Sequence, residues 1–409
     1  MIASSSDTPA ELKTLLFIGE EVTLSHVVRL IALATPLLHD SRFRIAFACG
    51  TRYRDLVEQA GITWHPLLTI PHQTFARRLR FALNALYRYH ELRDYVEADE
   101  ALVKKIRPDI IISDFRLSID ITARRMSIPH INLTDGYWSP ASSLPYPQPE
   151  NTFSSLIGRR IADRIFPLVL PLVLWLYQRP IVKLYQHYGL TPPSSQRAAS
   201  TQGTAVLYPD IPSVTPVTTL PSGHAFIGPL FWEPPVPIPD WLATTDPAQP
   251  LIYISFGSSG NTNIFPILFD ILGRRPVRVI VSTAGRLIPG KPPENFCLIP
   301  YAPALQIIAR SALVICHGGN VVAYQAFRHG IPLIGIPDNI AQYFSMERIE
   351  KLGAGIILRP SETTRVSLAK ALDEILSQTS YTEKADTLKQ EILTYHPDAI
   401  FLKTIERLL

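Results

Sequence analysis

Hydrophobic and polar positions along this chain alternate in blocks that are typical of an α/β protein. In the first half, short apolar runs at 12–19, 43–49 and 109–113 are separated by stretches with helical spacing, such as 25–39 and 118–126. Short apolar runs that alternate with helices form parallel sheets covered by helices on both faces. The pattern therefore predicts a doubly wound α/β domain.

The same alternation begins again after a stretch rich in proline. We predict an N-terminal domain over 1–227, a semi-rigid linker over 228–250 and a second α/β domain over 251–395. The last residues, 396–409, are expected to form a helix that can pack back on the N-terminal domain. Two domains of this class enclose a cleft at the carboxyl ends of their strands, where we expect the chemistry to occur.

Composition narrows the class of protein. Of 409 residues, 46% are hydrophobic and 18% charged, and the formal net charge is +4. No basic run is dense enough to indicate a nucleic-acid groove. Three widely spaced cysteines and a polar segment 1–11 without a secretory pattern predict a cytoplasmic protein. The apolar excess allows a peripheral position at the inner face of the membrane.

A phosphate site is predicted where His317, Gly318, Gly319 and Asn320 join an apolar run to a helical stretch. Glycines let the backbone approach a ligand, and the free N–H groups of a helix N-terminus favour an anion. A tight strand-to-helix turn without a ligand is the alternative.

A second loop of small residues, 255–261, also follows an apolar run. Within it, Gly257 and Ser258 are placed to hold the other side of a diphosphate. An ordinary turn capped by a serine or asparagine explains the pattern equally well.

A candidate base and its partner lie at the ends of two predicted strands. His26 begins the first helix, where a neutral imidazole can take a proton from an acceptor hydroxyl. Asp114 closes the strand 109–113, where its carboxylate can fix the imidazole tautomer. The alternatives are an ordinary helix histidine and an aspartate that caps the helix 118–126.

Motifs for a metal ion are missing from the sequence. No Asp-x-Asp or Glu-x-Asp pair closes an apolar run, and no His and Cys pair has the spacing of a zinc site. We therefore expect no metal and no cofactor, with a diphosphate leaving group stabilised by helix N-termini and hydroxyl groups.

The order of these segments resembles the family 1 inverting glycosyltransferases of the GT-B fold, especially the UDP-glycosyltransferases and the bacterial macrolide-type, natural-product enzymes. That family's donor signature reads His-Gly-Gly-x-Gly-Thr, Glu, Gly-Val-Pro, Asp-Gln and Asn-Ala. This chain carries His317-Gly318-Gly319-Asn320, Gly330-Ile331-Pro332, Pro337, Gln342 and Gly353-Ala354-Gly355 at matching spacings. The resemblance covers nearly the whole chain and implies two Rossmann-like domains that face each other across a cleft.

Residue roles follow from the same resemblance. It implies that His26 is the general base, that Asp114 orients it, and that Tyr301 stacks on the nucleotide base. It also implies a UDP- or dTDP-sugar as the donor co-substrate. The donor site then includes four further residues of the signature region: Val321, Val322, Gln325 and Gln342.

The chain also departs from the family pattern. Arg29 stands where the family has a proline after the base, and Val321-Val322 replaces Gly-Thr. Gln325 replaces the ribose-binding glutamate, and Ala341 replaces the aspartate that holds hexose hydroxyls. These changes weaken the case for UDP-glucose, so a deoxysugar donor, a different nucleotide and lost activity are the alternatives.

The acceptor is expected to meet the aromatic and aliphatic region 137–188. Its apolar run 165–177 has 13 residues and two prolines, whereas about 20 residues are needed to cross a bilayer, so no transmembrane helix is predicted. We expect buried helix packing there. The alternative is an apolar wall with a basic margin, for a lipid-like acceptor or for peripheral membrane contact.

The leading hypothesis is an inverting transfer of a sugar from a nucleotide-diphosphate donor to a hydroxyl of a small, apolar or lipid-like acceptor, either a natural product or a glycolipid. One alternative is a non-catalytic GT-B relative that binds a ligand or partner. A sugar-nucleotide epimerase is the other. The sequence predicts neither the sugar nor an oligomeric state.

Overall fold

The structure, a computed structural model, describes residues 12–80, 85–150 and 158–409. The segment 1–11, in which the sequence predicts no export signal, lies outside the described residues. Two parallel sheets, each flanked by helices, account for the described chain.

The N-terminal domain contains seven parallel strands among its described residues. They form one sheet in the order third, second, first, fourth, fifth, sixth, seventh. The strands are β1 Lys13–Gly19, β2 Phe43–Cys49, β3 Thr63–Pro66, β4 Ile110–Asp114, β5 His130–Leu133, β6 Ala205–Tyr208 and β7 His224–Phe226. The helices are α1 Ser25–Ala34, α2 Arg54–Gln59, α3 His72–Arg80, α4 Tyr89–Ile106, α5 Ile119–Arg125, α6 Arg159–His187 and α7 Gln196–Ser200.

The C-terminal domain repeats this plan with a six-stranded parallel sheet among its described residues, in the order β10-β9-β8-β11-β12-β13. The strands are β8 Leu251–Ser255, β9 Arg278–Ser282, β10 Phe296–Ile299, β11 Leu313–Cys316, β12 Leu333–Gly335 and β13 Gly355–Ile357. The helices that precede, flank and follow it are α8 Trp241–Thr244, α9 Phe265–Leu272, α10 Ala304–Ile308, α11 Asn320–Arg328, α12 Ile340–Lys351, α13 Arg365–Ser377, α14 Thr379–Ile392 and α15 Pro397–Leu408.

The apolar runs form central strands because both of their faces are covered. Successive side chains of a strand point to opposite faces of its sheet. In β1, Leu15 and Phe17 enter one hydrophobic cluster while Leu16 and Ile18 enter another on the opposite face. Such strands consist of continuous apolar residues, whereas apolar and polar residues alternate in a half-exposed strand. The continuous apolar run identifies them in the sequence.

The chain crosses between the domains twice. The first crossing follows β7 and begins at Gly228, whose φ of 81° lies in the left-handed region that favours glycine. The second follows α14, and a methyl group on Gly228 would overlap the side chain of Tyr395 there. The two crossings are therefore in contact.

The C-terminal helix α15 packs on the N-terminal sheet. Phe401 and Ile405 are buried in the same cluster as Phe17, and the rings of Phe401 and Phe17 are 6.1 Å apart. Arg42 of the N-terminal domain forms an ion pair with Glu406, 2.9 Å from Nη1 to Oε1. The last helix thus belongs to the core of the first domain.

The expectation of buried helix packing for the apolar run 165–177 was wrong. The helix that contains it, α6, has 29 residues, because it includes charged residues on both sides of the run and continues through three prolines. It is also mostly unburied: Leu168 is 80% exposed and Trp175 is 53% exposed. Among the described residues it is the one helix long and apolar enough to cross a membrane, a property that some core helices of soluble proteins share.

The docking of α15 gives a prediction for stability. Replacing Phe401 with alanine should lower the free energy of unfolding by about 3–5 kcal/mol, because a fully buried aromatic ring leaves a cavity. Urea unfolding of the two proteins measures the change. Leu409→Ala, at a half-exposed position of the same helix end, is the matched control and should cost about 0.5 kcal/mol or less. Equal loss in both variants would show that α15 is not docked.

Candidate active site

The cleft lies where the carboxyl ends of the two sheets face each other. In the first sheet Gly19 pairs with Asp114, so β1 and β4 end at the same level. In the second sheet Cys316 pairs with Ser255, so β11 and β8 do the same. Ligands of doubly wound sheets bind beyond such ends. The loops after these four strands therefore form the site.

His26 and Asp114 are in contact. The imidazole Nδ1 lies 2.8 Å from Asp114 Oδ1, and the ring stacks on Phe115, with centroids 4.7 Å apart and planes inclined by 7°. Asp114 thereby engages Nδ1 and leaves Nε2 for a ligand. Its carboxylate does not cap α5, which begins after Ser118. The arrangement is that of a base with an orienting carboxylate.

Arg29 also binds Asp114, and it does so through two hydrogen bonds. Its Nε donates to Oδ2 at 2.8 Å and its Nη2 donates to Oδ1 at 2.9 Å, while Nη1 donates to Asp135 Oδ1 at 2.6 Å. Burial opposes the charge of this guanidinium, but the two carboxylates outweigh burial and raise the pKa of Arg29 above its usual value. The carboxylate of Asp114 therefore contacts both the imidazole of His26 and the permanent cation of Arg29.

A chain of polar contacts continues from Asp135 into the second domain. Asn320 Nδ2 donates to Asp135 Oδ1 and to Asp210 Oδ1, each at 3.1 Å, and Tyr324 donates its hydroxyl to the same oxygen of Asp210 at 2.8 Å. Burial and the charge of Asp135 raise the pKa of Asp210 to about 7. Asp135 keeps its charge, because Arg29 and hydrogen bonds outweigh burial and lower its pKa.

The predicted phosphate loop has the geometry of a helix N-terminus that opens into the cleft. Gly318 has a φ of 79°, and α11 begins after Gly319 with no side chain capping its first turn. The first N–H groups of an α-helix, here including those of Val321 and Val322, have no acceptor inside the helix. Burial lowers the pKa of His317 to about 4, so its imidazole is neutral near pH 7. The loop can accept an anion through its backbone.

The second loop faces the first domain and carries a cation. Ser258 Oγ accepts a hydrogen bond from the backbone N–H of Leu24, just before α1, at 3.3 Å. Arg286 Nη1 donates to the carbonyl oxygens of Gly257 at 3.3 Å and of Gly260 at 2.6 Å. Its positive charge is one of the causes that lower the pKa of His317, after burial. A guanidinium therefore lies beside the helix start at which an anion is expected.

The two glutamines of the predicted donor site are engaged inside the protein. Gln325 Nε2 lies 3.5 Å from the carbonyl oxygen of Trp232, and Gln342 Oε1 accepts from the N–H of Asp338 at 2.9 Å. Both side chains are buried. Tyr301 is half-buried in the loop after β10, at the same sheet edge.

Sequence reasoning missed three charged residues of the site. Asp135, Asp210 and Arg286 lie within a few positions after the ends of β5, β6 and β9. That location was the available signal, since charged residues that follow parallel strands collect at one sheet edge. Which of these short strands are neighbours depends on the sheet order, which the sequence pattern does not show.

Comparison with known proteins identifies the family. Residues 269–406 match the family model for the C-terminal domain of erythromycin biosynthesis protein CIII-like proteins. A PGL/p-HBAD biosynthesis glycosyltransferase of Mycobacterium tuberculosis is 34% identical over 383 residues, which cover 93% of this chain and 89% of that protein. The chain belongs to the family 1 glycosyltransferases.

Two further relatives differ in what their names state. A PGL/p-HBAD biosynthesis rhamnosyltransferase of Mycobacterium bovis is 34% identical and covers 93% of this chain and 84% of its own length. A third protein, also from Mycobacterium bovis and 34% identical over 65% of this chain and 72% of its own length, is named an inactive PGL/p-HBAD biosynthesis glycosyltransferase.

Solved structures confirm the GT-B fold of this family 1 glycosyltransferase. The calicheamicin glycosyltransferase matches with a TM-score of 0.70 and 20% identity, over 97% of this chain and 98% of that one. A spinosyn rhamnosyltransferase complexed with thymidine diphosphate matches with a TM-score of 0.68 and 18% identity, over 97% and 100% of the two chains. The predicted family, fold and glycosyltransferase function are confirmed, and the roles of individual residues stay predictions.

The contact of Arg29 with Asp114 predicts a change in pH dependence. In an Arg29→Gln variant, the acidic limb of the pH profile of kcat/KM should move upward by about one pH unit, because Asp114 then stabilises the imidazolium of His26 without a competing cation. Steady-state kinetics across the pH range measure the shift. Arg44→Gln, at the opposite end of the sheet where Arg44 binds Thr14, is the control and should leave the profile in place. An unchanged profile in Arg29→Gln would exclude this electrostatic role.

Proposed function

We propose that this glycosyltransferase moves a sugar from a nucleotide-diphosphate donor to a hydroxyl group of an apolar, lipid-like acceptor, with inversion at the anomeric carbon. The observation that carries the proposal is the 2.8 Å contact between His26 and Asp114. In the other domain, the uncapped N-terminus of α11 follows the strand β11. A base and an anion site then lie at the carboxyl ends of the two sheets, which is where a sugar between them would react.

On the acceptor side, His26 Nε2 takes the proton of the acceptor hydroxyl as its oxygen bonds to the anomeric carbon. Asp114 accepts from Nδ1–H and stabilises the imidazolium that forms. The ring of Phe115 packs flat on the imidazole and limits its rotation. Attack from the face opposite the diphosphate inverts the configuration of the anomeric carbon.

On the donor side, the bond from the anomeric carbon to the diphosphate oxygen breaks and the leaving group takes up negative charge. The N–H groups at the start of α11 and the nearby guanidinium of Arg286 stabilise that charge. Ser258 supplies a hydroxyl from the opposite loop. We infer a reaction that needs no divalent metal, because these groups provide the stabilisation that a metal supplies elsewhere.

The donor follows from the side chains that replace the family's acidic residues. Ala341 offers no carboxylate to hexose hydroxyls, and Gln342 is engaged with the backbone of Asp338. A site with fewer acceptors suits a sugar with fewer hydroxyl groups. We therefore propose a dTDP-deoxyhexose such as a rhamnosyl donor, in agreement with the name of one relative.

The acceptor class is supported by the relatives. Their names place them in the biosynthesis of PGL and p-HBAD. A glycolipid or its hydroxyl-bearing precursor is thus the proposed acceptor here, with a macrolide-like natural product as the alternative.

A second candidate function is a non-catalytic protein that keeps the fold. The internal hydrogen bonds of Gln325 and Gln342 favour it, since both side chains have hydrogen-bond partners inside the protein and do not need a nucleotide sugar to supply them. The name of one relative as inactive is consistent with this alternative.

A donor panel separates the two functions. The protein is incubated with dTDP-rhamnose, UDP-glucose or GDP-mannose and a hydroxyl-bearing lipid acceptor, with and without excess chelator. Nucleotide release and the anomer of the product are measured. We expect turnover with the dTDP-sugar, undiminished by the chelator, and a product of inverted configuration. If no nucleotide sugar binds or turns over, the non-catalytic function holds. Loss of turnover in chelator would refute metal independence alone.

Replacing the base tests the mechanism. His26→Ala should lower kcat by about 10²- to 10⁴-fold with little change in donor affinity, because only proton transfer is lost. Steady-state kinetics and donor titration measure the two effects. His90→Ala, at an exposed position of α4, is the control and should behave as the parent enzyme. Normal turnover of His26→Ala would contradict the assignment of the base.

A further inference from the structure

A stripe of exposed apolar residues follows one side of α6. Pro167, Leu168, Pro171, Leu172 and Trp175 recur at intervals of three and four residues, so they share one face of the helix. Leu168 is 80% exposed, Leu172 55% and Trp175 53%. Large apolar side chains grouped in this way indicate a surface that is covered by something else.

Cations stand at both ends of this stripe. Arg164 precedes it and Arg179 follows it at the same helical spacing, and the guanidinium of Arg179 lies 4.7 Å from the ring centroid of Trp175. The sequence contains no aspartate or glutamate from residue 164 to residue 209. An apolar stripe with basic ends and a tryptophan matches the chemistry of an anionic lipid surface: acyl chains beside phosphate groups.

The acidic residues known near α6 lie at its two ends, and Asp163 stands one turn before Pro167. Asp163 comes just before Arg164 and has a partner of its own. Glu97 and Glu100 of α4 act on Tyr188, beyond the C-terminal end of α6. From Pro167 to Trp175 the helix itself carries no acidic residue, so negative charge on α6 is confined to its N-terminal turn.

The two ends of α6 are held in the N-terminal domain. Ala162 is buried near its start, and Ile181, Leu184 and Tyr185 are buried near its end. The hydroxyl of Tyr185 donates to Asp120 Oδ2 at 2.8 Å. A helix that spanned a bilayer would have to give up these contacts, whereas a helix that lies on the surface keeps them.

We propose that the stripe of α6 docks this glycosyltransferase on the surface of an anionic phospholipid membrane. Leu168, Leu172 and Trp175 enter the interface between headgroups and acyl chains, and Arg164 and Arg179 bind lipid phosphates. The docking does not require the proposed sugar transfer. It would, however, bring the enzyme to the place where a lipid-like acceptor resides.

Flotation with vesicles tests the proposal. The whole chain is mixed with vesicles of phosphatidylcholine alone or of phosphatidylcholine with phosphatidylglycerol, at low and at high salt. We expect binding to the anionic vesicles that weakens with salt, since phosphate contacts are screened. A Leu168→Gln/Leu172→Gln variant should bind about tenfold less, because two apolar side chains no longer enter the membrane.

Two further variants refine the test. Arg164→Gln/Arg179→Gln should remove the preference for anionic vesicles and leave the weaker binding to neutral ones. Leu287→Gln, at a leucine of the C-terminal domain that is 94% exposed, is the matched control and should bind as the parent protein. Thermal unfolding of every variant checks that the fold is kept.

Several outcomes would overturn the proposal. It fails if the parent protein does not float with anionic vesicles at low salt, or if the leucine pair and Leu287→Gln bind equally well. It also fails if the parent protein is a dimer in solution and the Leu168→Gln/Leu172→Gln variant is a monomer, since the stripe would then be an interface between copies. Nucleotide-sugar hydrolysis, assayed without vesicles, reports separately on the proposed sugar transfer.

Discussion

The arrangement of the cleft depends on the buried guanidinium of Arg29. It holds Asp114 by two hydrogen bonds and Asp135 by a third, and Asn320 of the other domain is bound to Asp135. Two buried carboxylates in proximity would otherwise repel each other and bind protons. A permanent cation between them offsets this repulsion, and it lowers the pKa of Asp135. The orientation of the imidazole and the contact between the domains therefore share one electrostatic origin.

The fold was largely predictable, because the strands are buried on both faces. Their runs of apolar residues are visible without any knowledge of neighbours, and the proline-rich crossing marks the boundary between the sheets. The extent of α6 was not predictable in this way. Its length depends on charged residues that lie outside the apolar run, and its exposure depends on which elements pack against it.

The site was predictable to the degree that its residues follow strands. His26 and Asp114 could be paired in advance, since the ends of neighbouring parallel strands meet at one edge. The partners of Asn320 and Gln325 could not be predicted. Asp210 and the backbone of Trp232 reach them through the packing of the two domains, not through neighbouring strands of one sheet. Sequence spacing gives position along an element, but a contact between elements depends on how the elements pack.

The contact between the two chain crossings has a mechanical consequence. Gly228 and Tyr395 meet where the two crossings pass each other, in a contact too close to admit a side chain at position 228. Because the two crossings lie side by side there, a rotation of one domain against the other would turn about a short pivot beside this contact. Displacement in such a rotation grows with distance from the pivot, as it does along a lever. A small change in backbone torsion at the pivot is thus amplified at the far end of the cleft.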